Sequence, residues 1–217
     1  MGIKILGFAV CIVLGYLLGS FNSAIVICKL MDKGDVRSHG RGNAGMTNML
    51  RTYGVVPAAL TLIGDFLKGA IAIWLGKYLY SLMVSGVTSY QMLCVSYAIA
   101  IAALLGHAFP VFFGFKGGKG ILVTAGVILA LNPIVLAILV AIFLIFTLST
   151  RIVSVGSIVV AIAYPIVTFI VKMSSELTSL TTETIACTIM AIIVLIMHRE
   201  NIKRLIDGTE NKFGSKK

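Results

Sequence analysis

Charged residues are scarce in this 217-residue chain: they make up 12% of it, about half the share usual in a soluble domain. Acids are scarcer still, eight against 18 Lys and Arg, which leaves a formal net charge of +10. Whole stretches lack charge altogether, namely 5–27, 78–115, 120–150 and 152–171. This excludes an ordinary soluble globule. The apolar runs show no period-2 alternation, which excludes a membrane barrel. The four cysteines, Cys11, Cys28, Cys94 and Cys187, have neither metal-ligand nor redox spacing and are expected to be small buried residues. No Gly-x-Ser-x-Gly elbow is present, and the positions five residues after His39, His107 and His198 hold Ala44, Phe112 and Lys203 rather than Asp. No metal-ligand cluster is found. The net positive charge has no soluble folded domain to form a nucleic-acid face on, so nucleic acid is not an expected partner.

What is present is hydrophobic residue: 59% of the chain, with a mean hydropathy of +1.04. Apolar runs of about 20 residues match a bilayer core, and within lipid such runs must be helical. The first run is too long for a signal-peptide core and reads as a helix. The expected fold is an all-α polytopic membrane protein, one membrane-embedded domain over 1–217. Its spans are placed near 4–29, 54–77, 90–109, 118–131, 133–150, 152–172 and 184–205. The Asn132-Pro133 pair divides one charge-free stretch into two short helices; a single kinked helix is the alternative and gives six spans. Seven spans with the N-terminus outside put most of the basic residues, from Lys29 through Arg51 to Arg204, Lys216 and Lys217, on one side. That side is then cytoplasmic, as is the C-terminus.

Three polar segments fall on that face: 34–51 (GDVRSHGRGNAGMTNMLR), 106–120 (GHAFPVFFGFKGGKG) and 198–210 (HRENIKRLIDGTE). The first formally contains G-x-G-x-x-G at Gly40–Gly45, but no strand precedes it, so a dinucleotide fold is rejected. The anion chemistry beneath the motif survives: glycines let backbone N–H groups converge, and a helix beginning near Ala44 adds its positive end. Arg41, Gly42, Asn43, Gly45, Thr47 and Asn48 are candidate phosphate or substrate contacts, and Arg51 can grip phosphate in two places. An ordinary flexible loop is the competing reading. The second segment has Gly117, Gly118, Lys119 and Gly120 before a helix. It fails the Walker spacing, so nucleotide hydrolysis is not indicated, yet two lysines among glycines suit a phosphate. His107 is read as structural or supporting.

In the third segment, His198 and Asn201 share a helix face, and Glu200 and Arg204 have the spacing of a pair on another face. Asp65 and Lys68 lie inside the second span and are expected to form a structural ion pair. Two glycine-and-cation segments suit two phosphate-bearing ligands, in a reaction that asks the protein mainly for placement and charge stabilisation. No cofactor or metal is called for.

GRGNAGMTNMLRTYG, GHAFPVFFGFKGGKG and HREN resemble the three signature motifs of the acyl-phosphate:glycerol-3-phosphate acyltransferases, the PlsY family. The likeness extends to Gly19-Ser20 and to DFLKG at 65–69, and covers nearly the whole chain. It implies a seven-helix bacterial inner-membrane enzyme with a cytoplasm-facing site. Such an enzyme acylates the 1-hydroxyl of glycerol 3-phosphate from acyl phosphate, giving lysophosphatidic acid and phosphate for phospholipid synthesis. It also implies that Arg51, Lys119, His198 and Asn201 hold phosphate and orient the hydroxyl. Gly117, Gly118 and Gly120 would form a phosphate loop, with Asn43 and Thr47 in the first motif. Membrane lipid is an implied partner, and the enzyme that makes acyl phosphate is a candidate one. The chain departs from the pattern at Arg41 (usually Ser), Met46 (usually small), Val123 (usually Thr) and Asn22 (usually Pro). Two rival readings stay open: a phosphate-anion transporter, disfavoured by the lack of mid-membrane polar groups and repeated halves, and a divergent paralogue that binds lipid without catalysis.

Overall fold

The computed structural model describes residues 2–213; Lys216 and Lys217, assigned above to the cytoplasmic side, lie outside the described residues. Those residues form helices and connecting turns. In chain order the α-helices are α1 (Gly2–Ser20), α2 (Ser23–Leu30), α3 (Met46–Tyr53), α4 (Val55–Met83) and α5 (Ser89–Ala108), then α6 (Ile121–Leu131), α7 (Pro133–Thr150), α8 (Val153–Lys172), α9 (Leu177–Met197) and α10 (Arg199–Ile206).

Six of these, α1, α4, α5, α7, α8 and α9, are long and apolar enough to cross a membrane. Their outer faces carry Leu6, Trp74, Leu82, Leu148, Ile166 and Ile185, all exposed, as helices solvated by lipid rather than water require. The Asn132-Pro133 break separates two helices as expected: Asn132 caps α7 by accepting from Ile134 N and Val135 N, and Pro133 takes the first helical position. The helix before it is shorter than expected. With 11 residues, α6 extends about 16 Å, well short of the ~30 Å core.

Two expected spans are divided. The segment 4–29 breaks after Ser20 because Asn22, in an extended conformation, caps a new helix by accepting from Ile25 N. The segment 184–205 breaks at His198, the residue between α9 and α10. Cysteine burial is also uneven: Cys11, Cys28 and Cys187 are buried, whereas Cys94 is only half-buried.

The chain divides into two compact units, Met1–Leu131 and Asn132–Lys217. In the first, α1 packs on α5 and α4, and α4 on α6 and α3. Close approach between α1 and α5 depends on Gly106, where a Cβ would collide with the Tyr16 carbonyl. Ile25, Met49, Ile73, Ile99, Leu104 and Val127 fill the buried interior. In the second unit, α8 packs on α7 and α9, around Val135, Leu139, Met190 and Val194.

Candidate functional site

The first unit brings the segments 34–51 and 106–120 together. Asp35 opens a 3-10 turn over Val36–Ser38 by accepting from Arg37 N at 2.9 Å. The Arg37 guanidinium then grips the same carboxylate through Nε and Nη2, at 3.0 and 2.6 Å. Its remaining arm, Nη1, donates to the carbonyls of Phe113 at 2.6 Å and Lys116 at 2.8 Å. One side chain thus ties the first polar segment to the second. The hydrogen bond from Arg37 is the main reason the Asp35 carboxyl lies below its ordinary value, and the same bond raises Arg37. An open cleft of about 660 Å³ lies here, with Arg37, Ser38 and Gly42 on one side and Phe113, Lys116 and Gly117 on the other.

Asn48 organises the first segment from within. It is buried, donates to the carbonyls of Val36 and His39, and accepts from Arg41 N at 2.9 Å. Both faces of its amide serve the loop, so Asn48 supports the site rather than presenting itself to a ligand. Asn22 holds the same loop from below by donating to the Ala44 carbonyl at 3.2 Å. Gly45 is the N-cap of α3, which starts at Met46, two residues later than expected. Thr47 and Arg51 stand exposed on that helix, and Arg41 and Gly42 are exposed on the loop. The Asn43 Oδ1 atom is buried and has no hydrogen-bond partner among the described residues, a position open to a ligand hydroxyl or N–H.

The second segment folds back on the end of α5. Gly117 N donates to the Ala108 carbonyl and Gly118 N to that of His107, both at 3.1 Å. Glycine is required at both positions: a Cβ on Gly117 would collide with the His107 carbonyl, and one on Gly118 with His107 Nε2. Lys119 is half-buried, and Gly120 (φ +89°) leads directly into α6. This is a fixed turn carrying a cation at a helix start, a geometry suited to an anion.

In the second unit, His198 and Asn201 are neighbours, with Asn201 N donating to the His198 carbonyl at 2.8 Å. His198 Nδ1 lies 2.8 Å from the Val194 carbonyl. A carbonyl can only accept, so Nδ1 carries the proton and Nε2 of the neutral ring is an acceptor. The Asn201 amide donates to Glu210 Oε1 at 2.7 Å, and Ser154 donates to the same atom at 2.9 Å. Arg204 donates to Oε2 at 2.6 Å, so the expected Glu200–Arg204 pair gives way to Arg204–Glu210. Burial alone would raise the Glu210 carboxyl, but hydrogen bonds from Arg204, Asn201 and Ser154 outweigh it and hold the group below its ordinary value.

Sequence reasoning missed three supporting residues. Arg37 read as one more orienting cation, because nothing in its spacing announces the carbonyls of Phe113 and Lys116. Glu210 closed the third polar segment but stands nine residues from Asn201. Asn22 registered only as a departure from a family pattern. No group of three or more metal-binding side chains occurs among the described residues.

Comparison with known proteins places the whole chain beside one family. A family model described as glycerol-3-phosphate acyltransferase matches residues 9–208. A glycerol-3-phosphate acyltransferase of Clostridioides difficile is 35% identical over 214 residues, covering 99% of each chain. One of Syntrophomonas wolfei is 41% identical, covering 96% of this chain and 98% of its own. Among solved structures, the crystal structure of PlsY (YgiH), an integral membrane glycerol 3-phosphate acyltransferase in its glycerol 3-phosphate form, matches with a TM-score of 0.81 at 33% identity, covering 95% of this chain and 96% of that one. Its lysophosphatidic acid form matches with a TM-score of 0.77.

Proposed function

The chain belongs to the glycerol-3-phosphate acyltransferase family, and on that premise we propose that it transfers a fatty-acyl group from acyl phosphate to the 1-hydroxyl of glycerol 3-phosphate. The hydroxyl oxygen bonds to the acyl carbonyl carbon, the bond from that carbon to the phosphate oxygen breaks, and lysophosphatidic acid and inorganic phosphate are formed. The hydroxyl proton leaves with the phosphate or passes through His198 Nε2. The reaction takes place within one membrane-embedded domain over 1–217, with seven membrane-embedded segments, the short α6 counted as one although it reaches only part of the way across, and an external N-terminus. Its site faces the cytoplasm of a bacterial inner membrane. Membrane lipid surrounds it, and an enzyme making acyl phosphate supplies the donor.

The observation that carries this reading is the glycine loop: Gly117 and Gly118 pinned to the end of α5, with Lys119 between them and the start of α6. Lys119, Arg51 and the backbone N–H groups of the loop would bind phosphate charge through direct, charge-assisted hydrogen bonds. Arg41 adds a cation and Thr47 a hydroxyl, Asn43 supplies its unpaired oxygen, and Gly42 and Gly45 shape the loop that Asn48 supports. His198 and Asn201 orient the hydroxyl, consistent with an acceptor at His198 Nε2. An activated donor leaves little else for the protein to do, which fits the absence of a His-Asp dyad in the sequence.

The test is lysophosphatidic acid formation by purified protein given glycerol 3-phosphate with acyl phosphate or, in parallel, acyl-CoA. Product from acyl phosphate alone is expected. Product from acyl-CoA alone would overturn the donor, and no product from either in a folded sample would overturn the activity.

A further inference from the structure

Inside the first unit, three buried ionisable side chains meet; Asp65 Oδ1 accepts from Ser23 N at 3.4 Å and lies 3.8 Å from His107 Nδ1. Asp65, Lys68 and His107 are 1%, 7% and 4% exposed, respectively. The expected ion pair is present, with Lys68 Nζ 2.8 Å from Asp65 Oδ1, but Lys68 has two further partners. It donates to the Phe21 carbonyl at 2.7 Å and lies 2.9 Å from His107 Nδ1. An ammonium has three N–H groups, and here three atoms surround it. Two of them, the carboxylate and the carbonyl, can only accept. A charged Lys68 therefore donates its third proton to Nδ1. A neutral Lys68 would instead leave Asp65 as an uncompensated buried charge, the costly arrangement. With Nδ1 accepting, the neutral ring carries its proton on Nε2.

That nitrogen faces the glycine loop. Nε2 occupies the space that a side chain on Gly118 would need, beside the Ala44 carbonyl of the first polar segment. The backbone of the same histidine accepts from Gly118 N. His107 thus touches the loop with both its main chain and its ring.

We propose that Asp65, Lys68 and His107 form a buried positioning relay, which holds the imidazole in its Nε2–H form against Gly118 and so sets the shape of the loop that takes substrate phosphate. Asp65 keeps Lys68 charged, Lys68 fixes the ring, and the ring presents one N–H at Gly118. The relay rests on the proposed role of Gly117–Gly120 in phosphate binding.

The experiment uses the full chain in lipid nanodiscs with ¹⁵N-labelled histidine. Only three histidines are present, and loss of a signal set in His107→Asn assigns the one of interest. At pH 7, His107 should show an unprotonated Nδ1 and a protonated Nε2; a protonated Nδ1, in a neutral or a charged ring, overturns the relay. The double variant Asp65→Asn/Lys68→Met removes both charges together and leaves no lone buried ion. It should show mixed His107 tautomers and a KM for glycerol 3-phosphate raised at least fivefold, with kcat within twofold. A wild-type KM in a folded double variant overturns the positioning role. If the wild type shows no acyl transfer, the proposed function fails, and the tautomer alone decides the relay.

Discussion

The Asn201 amide donates to Glu210 at 2.7 Å, and because a carboxylate only accepts, this contact fixes which end of the amide faces away from Glu210. Removing the carboxylate in Glu210→Ala frees the amide to turn and strands Ser154 and Arg204. A loss of about tenfold in kcat/KM, roughly 1.4 kcal/mol of transition-state stabilisation, is expected with normal membrane insertion. Unchanged kinetics would show that Asn201 does not need its orientation fixed.

The same carboxyl gives a pH dependence. Glu210 lies below its ordinary value in the folded chain, so the unfolded chain takes up the proton more readily. Its contribution to stability is therefore complete above the unfolded value, about 4.3, and fades as pH falls through the lower folded value. Thermal unfolding midpoints should drop less steeply below pH 4.5 in Glu210→Gln than in the wild type. Parallel curves would remove Glu210 from the account.

Arg37 reaches Asp35, Phe113 and Lys116 with one planar fork. Lysine keeps the charge but cannot serve all three. Arg37→Lys should therefore lower kcat/KM by about tenfold while changing the unfolding midpoint little. Full activity would mean that the two polar segments hold their geometry without this tie.

Gly118 leaves no room for a methyl group, since a Cβ there would collide with His107 Nε2. Gly118→Ala should cost at least about 100-fold in kcat/KM, close to 3 kcal/mol, with the protein still folded in detergent. An active Gly118→Ala enzyme would show that the loop can shift without consequence.

Lys119→Ala and Arg51→Ala each remove a cation from a proposed phosphate contact. Acyl transfer should fall by about 100- to 1,000-fold, the scale of a lost charge-stabilising group. Whichever variant keeps its activity removes that residue from the site.

Much of this was legible along the chain. Hydropathy located the long apolar helices, Asn132-Pro133 located the break between α6 and α7, and glycine spacing drew attention to Gly117–Gly120. Local chemistry dominates at these places, so neighbours in sequence suffice. The expected pairing of Glu200 with Arg204 failed because helix spacing shows only which side chains can meet; Glu210, beyond the helix end, offered Arg204 a carboxylate already shared with Asn201 and Ser154. The first expected span ends earlier than expected, at Ser20, because the side chain of Asn22 caps a new helix inside the apolar run.

The sequence by itself determined that this chain is helical and membrane-embedded, because long apolar runs leave the backbone no other way to satisfy its hydrogen bonds in lipid. It also determined which segments carry the polar chemistry. Tertiary structure alone decided how those residues are held. Arg37 meets two carbonyls more than 70 positions away, and Lys68 meets His107 across 39. Such contacts depend on how helices pack, which no local pattern encodes.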